Sequence, residues 1–212
     1  GSYDYFEGEF NASSMEYVKD PNSDFFVKVP EWKREKFALF AEAKNLSDVL
    51  ARVRFDAFYQ KNRKKMENYI KSSGDEANVV VDNFADNITR TTGASVQTDW
   101  QLGASNYLIA GYEINYDRLD SDGVSYLNNR VAMGGPMSMV INKETGKFYN
   151  GNQLTQAVFA AMETQLPWDF QLNYGVRYTH VRTELTRGTE IADPYTGGMY
   201  MGDRLVQTMF DR

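Results

Sequence analysis

The chain has 212 residues, a net charge of −6 at pH 7 and no cysteine. The lack of cysteine excludes a disulfide framework and a thiolate metal site, and the net negative charge argues against general nucleic-acid binding, which depends on basic residues that meet phosphates. Mean hydropathy is −0.55, and the longest apolar run, residues 157–162, is far shorter than the roughly 20 residues of a membrane-spanning helix. A β-barrel is still compatible with this polarity, because a barrel strand shows lipid only every second residue.

The first clear pattern is a period-two alternation on both sides of a break at residues 45–48. Alternation of this kind is typical of strands whose two faces meet different environments. Two more such pairs follow, one around the turn residues 101–105 and one around Pro167-Trp168-Asp169, where proline favours a turn over a central strand. The alternating apolar positions include Phe37, Leu39, Ala41, Val53, Phe55, Tyr59, Leu108, Ala110, Tyr112, Ile114, Val158, Ala160, Leu172, Tyr174, Val176 and Tyr178.

Long polar stretches separate these three hairpins, over residues 71–87, 119–152 and from 187 onward, and residues 17–32 are interpreted in the same way. Short turns would then alternate with long loops, which is the asymmetry of outer-membrane barrels with short periplasmic turns and long extracellular loops. The strands are at least as long as the roughly 9–11 residues that cross a bilayer at a tilt. The sequence therefore predicts an all-β fold: about seven or eight antiparallel, up-and-down strands of a transmembrane β-barrel.

The two faces of these strands have separate predicted roles. Aromatic residues beside the short turns suit the girdle at the periplasmic interface, and charged or amide side chains of the opposite parity suit a polar lumen, although a merely solvated face would look the same. The candidate girdle residues are Trp100, Tyr107 and Trp168. The candidate lumen-lining residues are Glu42, Arg52, Arg54, Asp56, Gln97, Asp99, Glu113, Glu163 and Arg177.

Several segments resemble the barrel of TonB-dependent outer-membrane receptors: residues 44–47, 54–60, 107–113, 158–163 and 172–178, the last with its Gly-x-Arg-Tyr pattern. The likeness covers roughly residues 35–186. It implies a 22-stranded barrel with a globular plug, partnered by the inner-membrane TonB complex and by a small-molecule ligand such as a metal chelate (a siderophore, for example) or haem. Residues 1–212 are expected to be a partial barrel domain without the plug. Seven or eight strands are too few to close a barrel of that family's size, and residues 208–212 lack the terminal aromatic expected of a last strand.

Other features carry weaker predictions. The cationic run Lys61, Arg63, Lys64 and Lys65 is a candidate contact for lipopolysaccharide phosphates, with a solvated strand extension as the alternative. His180, the single histidine, is better interpreted as an interfacial residue than as a haem ligand. Residues 117–123 fail the EF-hand pattern and are expected in an acidic loop, and residues 133–139 in a flexible apolar loop. No catalytic motif or cofactor site is recognised, so enzyme activity is not expected.

Two other functions remain open. A smaller barrel could act as a passive pore or adhesin, without a plug or TonB coupling. A soluble β-sandwich that binds carbohydrate is the third hypothesis, and it requires an apolar core between two sheets. That hypothesis predicts burial of Val53, Phe55, Leu108, Ile114 and Val176 inside the protein.

Overall fold

The computed structural model describes residues 1–13 and 23–209, which form one antiparallel sheet. Apart from a 3-10 turn over Pro167–Asp169, the regular elements of these residues are all strands. The strands are β1 (Ser2–Ser13), β2 (Ser23–Lys44), β3 (Leu50–Ser73), β4 (Ala77–Leu102), β5 (Asn106–Gly134), β6 (Met137–Gln165), β7 (Gln171–Ala192), β8 (Thr196–Met201) and β9 (Arg204–Met209). Among the described residues, no helix has the length and apolar character needed to cross a membrane.

Each strand from β1 to β6 pairs with the next one along the chain, so the order is up-and-down. Both β7 and β8 pair with β6: β7 follows β6 from Gln165 back to Thr145, and β8 continues from Asn142 to Met137. The two strands therefore lie end to end, interrupted near Pro194, which has no backbone N–H to donate. The nine strand segments occupy eight lines in the sheet, and the predicted all-β, antiparallel, up-and-down fold is confirmed.

The three predicted short turns are present at residues 45–49, 103–105 and 166–170. In the first turn, the backbone N–H of Asn45 donates to the backbone carbonyl oxygen of Ala51 over 2.8 Å, and Asn45 adopts a positive φ of 55°. Asparagine tolerates this left-handed conformation better than most residues. Gly103, at φ 75°, has the corresponding role in the second turn. Because consecutive strands alternate in direction, these three turns share one end of the sheet, called here the turn end.

The predicted long loops are wrong. Residues 71–87 and 119–152 continue the strands and are interrupted only at 74–76 and 135–136. Residues 187–204 hold the end of β7, all of β8 and the first residue of β9, and residues 23–32 belong to β2, whereas 17–22 lie outside the described residues. Polarity misled the prediction, because polar side chains here bond across strands: the Ser121 hydroxyl donates to Asn87 Oδ1 over 2.6 Å.

The sheet is a single layer. The only buried hydrophobic side chains in the described parts of the chain are Val29 and Ala157. None of the five residues that a sandwich would bury is buried; Val176 is 72% exposed and Phe55 is 47% exposed. Within residues 1–13 and 23–209, β1 pairs only with β2, and β7 only with β6. The described sheet is therefore open, with an edge on each side.

Candidate functional site

One face of the sheet carries a continuous apolar surface, because residues paired across strands point to the same side. A typical row runs from Ala41 through Phe55, Val96, Tyr112 and Val158 to Tyr178. Five successive rows on this face, from the Trp100 row at the turn end to the Tyr59 row, are called here the apolar band; on β6 and β7 its last two rows also hold the polar residues Gln156, His180 and Arg182. Its exposed members include Phe37, Leu39, Phe55, Tyr59, Tyr112, Tyr116, Val158, Tyr174, Val176 and Tyr178.

The apolar band has the height of a bilayer crossing. Along β4 it extends from Thr92 to Trp100, a span of nine residues, which is the low end of the roughly 9–11 that a tilted barrel strand needs. Immediately beyond it, the same face becomes charged at Glu35, Lys61 and Arg90. Exposed aromatic and aliphatic side chains over this height and width form a patch that a soluble monomer rarely leaves open to water.

The charged rows next to the apolar band form an ion-pair belt on the same face. Arg63 donates from Nε and Nη2 to both carboxylate oxygens of Asp86, over 3.0 and 2.6 Å. Lys65 Nζ lies 2.6 Å from Glu31 Oε2, and Lys33 contacts both Glu7 and Glu31. These partners lower the pKa of Asp86, through the hydrogen bonds from Arg63, and the pKa of Glu31, through the bond from Lys65.

The opposite face holds all nine predicted lumen-lining residues. Glu42, Arg54, Gln97 and Arg177 share one row, which passes through Gly111 and Phe159. The other five occupy neighbouring rows of the same parity: Arg52, Asp56, Asp99, Glu113 and Glu163. This face, called here the polar face, carries both signs of charge on adjacent strands, as the period-two pattern predicted.

Asp99 is the centre of the most completely paired cluster on the polar face. It is fully buried. Arg52 Nη2 lies 2.6 Å from Asp99 Oδ2, Gln97 Nε2 donates to Oδ1 over 2.9 Å, and the Tyr107 hydroxyl donates to Oδ2 over 2.8 Å. A buried carboxylate is destabilising unless it is paired and hydrogen-bonded, and these three donors from β3, β4 and β5 satisfy both of its oxygens.

Two further ion pairs lie on the polar face toward the middle of the strands. Arg54 donates from Nε and Nη2 to Asp56 over 2.7 and 2.9 Å. Arg177 Nη2 lies 2.9 Å from Glu113 Oε2 and so joins β7 to β5 across β6. These pairs, with Ser95, Asn115 and Gln97, line a cleft of about 320 Å³. The cleft offers charged groups of both signs and amides to a polar solute.

Phenylalanine rings cover two glycines of the polar face. A Cβ atom on Gly111 would lie 2.4 Å from the Phe159 ring and 2.7 Å from the Val96 carbonyl oxygen, and one on Gly93 would lie 2.4 Å from Phe58. The Arg177 guanidinium stands over the Phe159 ring at 5.8 Å. A charged side chain at Gly111 would therefore meet the Phe159 ring, although the residue lies on the polar face.

The predicted aromatic girdle divides between the two faces. Trp100 lies on the apolar-band face, where its Nε1 donates to Thr98 Oγ1 over 2.9 Å. Trp168 lies in the 166–170 turn and is 89% exposed. Tyr107 has the parity of Asp99 and bonds to it, so its assignment to a lipid-facing girdle is wrong. Its place beside a turn was correct, but the girdle interpretation ignored its parity.

The cationic run at residues 61–65 is also divided. Lys61, Arg63 and Lys65 lie on the apolar-band face, whereas Lys64 pairs with Trp32 on the other face, with Nζ 5.4 Å from the indole ring. The four cations therefore do not form one cluster. Arg63 and Lys65 are paired with carboxylates of the ion-pair belt, but Lys61 has no ion pair within the described residues.

The remaining predicted features are placed as follows. His180 lies on the apolar-band face opposite Gln156, as its parity predicted. Residues 117–123 lie inside β5 rather than in an acidic loop, and residues 133–139 form a tight hairpin turn at Gly135 and Pro136 rather than a flexible loop. No group of three or more histidine, aspartate or glutamate side chains in the described parts of the chain could hold a metal ion.

Sequence reasoning missed two residues on the apolar-band face. Arg90 and Arg118 are paired in register, and Arg90 is also the partner of Lys61 on β3. Residue type alone does not indicate that these cations are neighbours, since Arg118 lies in a stretch rich in aspartate. The signal lies in the strand register, which counting from the turns could have supplied.

Comparisons with known proteins leave the family open. No protein-family model matches the sequence, and no curated protein matches it. Among solved structures, a copper transporter, OprC, aligns over 97% of this chain with 8% identity and a TM-score of 0.20. The chain spans about half, 54%, of that structure. A superposition this loose gives no grounds for transferring a function.

Proposed function

We propose that this chain is part of a bacterial outer-membrane β-barrel that takes up a scarce nutrient, such as an iron chelate or haem. The apolar band carries the proposal. It extends from β2 to β7, is nine residues high along β4, and includes many strongly exposed apolar side chains. Lipid is the environment that suits such a face when the opposite face is charged and no second layer within residues 1–13 and 23–209 covers it.

In this proposal the polar face lines the lumen. The paired charges around Asp99, Glu113 and Arg54 would then meet water, plug or solute rather than lipid. The ion-pair belt would lie outside the hydrocarbon, with the strand extensions reaching into the external medium. The two open edges, at β1 and β7, would pair with further strands, because unpaired backbone groups are not tolerated in hydrocarbon.

Coupling to the TonB complex and uptake of a metal chelate rest on the sequence resemblance alone. The chemistry of the polar face suits a charged or hydrogen-bonding ligand, since its cleft combines Arg54, Arg177 and Glu113 with amide groups. The proposal includes no enzymatic step. A soluble sandwich is disfavoured by the exposure of Val176 and Phe55.

A test of the membrane assignment compares arginine substitutions on the two faces of β7. In the full-length protein, Val176→Arg places a charge on the apolar band, whereas Thr179→Arg places it on the polar face. We expect Val176→Arg to lower the free energy of unfolding in vesicles by about 2–4 kcal/mol, and Thr179→Arg to change it by less than about 1 kcal/mol. Equal effects, or a protein that stays soluble without detergent, would overturn the proposal.

A second experiment addresses transport. Cells grown under iron limitation, with and without this protein, are compared for uptake of labelled iron chelates and haem. Uptake that needs both the protein and an intact TonB complex supports the receptor. Passage that persists without TonB identifies a passive pore, and no passage of any tested solute argues for an adhesin.

A further inference from the structure

The apolar-band face has a row of three cations directly beyond the apolar band. Lys61 pairs in register with Arg90, and Arg90 pairs with Arg118, so the three side chains start from neighbouring positions on β3, β4 and β5. Side chains directly opposite one another on adjacent strands have Cβ atoms about 4.5–5.5 Å apart, and like charges in that arrangement repel. The row therefore favours a bound anion.

The carboxylates near this row neutralise it only in part. Asp120 forms ion pairs with Arg90 and with Arg118, the latter over 3.5 Å, and also accepts a hydrogen bond from Asn150. Glu35 is the register partner of Lys61 on β2, but no ion pair joins the two within the described residues. The side chains of Arg90 and Arg118 remain 37% and 58% exposed. Three cations thus face two carboxylates, one of which is already shared.

An apolar groove begins in the row next to these cations. Tyr59, Thr92 and Tyr116 stand two residues nearer the turn end on the same three strands. They border a groove of about 960 Å³ whose lining includes the small residues Ala57 and Ala94. An apolar groove that leads to a cationic row matches an amphiphile with an acyl chain and an anionic headgroup. Arginine binds phosphate in a bidentate manner that suits such a headgroup.

We infer that Lys61, Arg90 and Arg118 bind a phosphate of lipid A, the membrane anchor of lipopolysaccharide, with an acyl chain in the adjacent groove. The inference rests on the proposed outer-membrane location, because lipid A is the phosphorylated lipid that faces the outside there. It replaces the run 61–65 as the contact site, since that run is divided between the two faces of the sheet.

The test uses the full-length protein in detergent, titrated with diphosphorylated lipid A and followed by native mass spectrometry. We expect Lys61→Gln, Arg90→Gln and Arg118→Gln each to weaken binding about fivefold, since each cation near an anionic surface contributes modestly. Lys64→Gln, on the same strand but on the opposite face, should leave binding within about twofold. Arg90→Lys keeps the charge but loses the bidentate geometry, so it should bind more tightly than Arg90→Gln and less tightly than the unaltered protein.

Two further titrations, with other lipids, identify which part of the lipid the cations bind. Dephosphorylated lipid A should bind the unaltered protein as weakly as diphosphorylated lipid A binds the triple variant Lys61→Gln/Arg90→Gln/Arg118→Gln. Phosphatidylglycerol should bind the unaltered protein less tightly than diphosphorylated lipid A does. Equal binding of the dephosphorylated form or of phosphatidylglycerol, or an equal loss in Lys64→Gln, would overturn the inference.

Failure of the inference and failure of the proposed function can be told apart. Membrane fractionation of the same variants reports location separately from lipid binding. Lys61→Gln breaks no ion pair among the described residues, so it tests binding even if the arginine variants fold poorly. If the protein is found in the outer membrane but its affinity for lipid A does not change in these variants, the inference alone is refuted. If the protein is absent from the outer membrane, both the inference and the proposed function are refuted.

Discussion

Tyr107 donates a hydrogen bond from its hydroxyl group to Asp99 Oδ2 over 2.8 Å, so a tyrosine beside a turn is tied to the most deeply buried carboxylate of the described sheet. The contact places Tyr107 on the polar face and joins β5 to β4. It also supplies one of the donors that make a buried charge tolerable at this position.

Replacing Tyr107 by phenylalanine should therefore destabilise the folded protein. The substitution keeps the ring and removes one hydrogen bond to an ionised group, which is worth roughly 1.5–3 kcal/mol. Tyr112→Phe, on the apolar band of the same strand, is the matched control and should change stability by less than about 0.5 kcal/mol. Unfolding of both variants in lipid vesicles by urea measures the difference, and equal effects would contradict the assigned role of Tyr107.

Gly111→Ala should destabilise the protein although the position is on the polar face. The added methyl group would meet the Phe159 ring at 2.4 Å and the Val96 carbonyl oxygen at 2.7 Å, and overpacking of this kind costs about 1–3 kcal/mol. The double variant Gly111→Ala/Phe159→Leu should recover part of the loss, because only the backbone contact remains. If the double variant recovers no stability in urea unfolding, contact with the Phe159 ring is not the cause of the destabilisation.

The Asp86–Arg63 pair predicts an acid-sensitive contribution to stability. Arg63 lowers the pKa of Asp86 below its ordinary value of 3.8, so the contribution is present above about pH 4 and is lost as the pH falls through the folded-state pKa. Asp86→Asn should thus be less stable than the unaltered protein at pH 7 by up to about 1 kcal/mol. The two should converge only as the pH falls further, through the lowered folded-state pKa of Asp86. Urea unfolding at pH 7, 5 and 3 checks this, and a pH-independent gap would exclude the ionic origin.

The turn at residues 166–170 should be stabilised by Asp169→Gly. Trp168 and Asp169 both have positive φ, 63° and 61°, a conformation that glycine adopts without the steric cost of a Cβ atom. The left-handed conformation costs a non-glycine residue about 1 kcal/mol, and glycine removes that cost. An unfolding midpoint that does not rise would show that the turn relaxes in membranes.

Trp168→Asn also relieves the backbone of the same turn, but it removes the exposed indole. If this variant is less stable than the unaltered protein in vesicles and more stable in detergent, Trp168 lies at the membrane interface.

On the proposed function, residues 1–212 by themselves should not fold in vesicles. The edges at β1 and β7 pair on one side only within the described residues, and a sheet edge in hydrocarbon leaves backbone groups unsatisfied. We expect aggregation, whereas the full-length protein acquires heat-modifiable mobility in gels. A folded, monomeric fragment would instead indicate closure between β1 and the last strands.

The sequence by itself determined the fold class, the positions of the three turns at the turn end, and the side of the sheet on which each predicted lumen residue lies. These are local properties: period two assigns each side chain to a face, and Asn45, Gly103 and Pro167 mark the turns. It failed over residues 71–87 and 119–152 because polar composition does not separate a loop from a strand whose side chains bond across the sheet.

Only the tertiary structure decided which residues on different strands meet. The neighbours Lys61, Arg90 and Arg118, the contact of Tyr107 with Asp99, and the Phe159 ring over Gly111 depend on register between strands. Register is set by turn geometry and by shifts such as the one between Leu50 and Arg52. A slip of one residue moves a whole strand to the opposite face, so these contacts could not be read from one strand at a time.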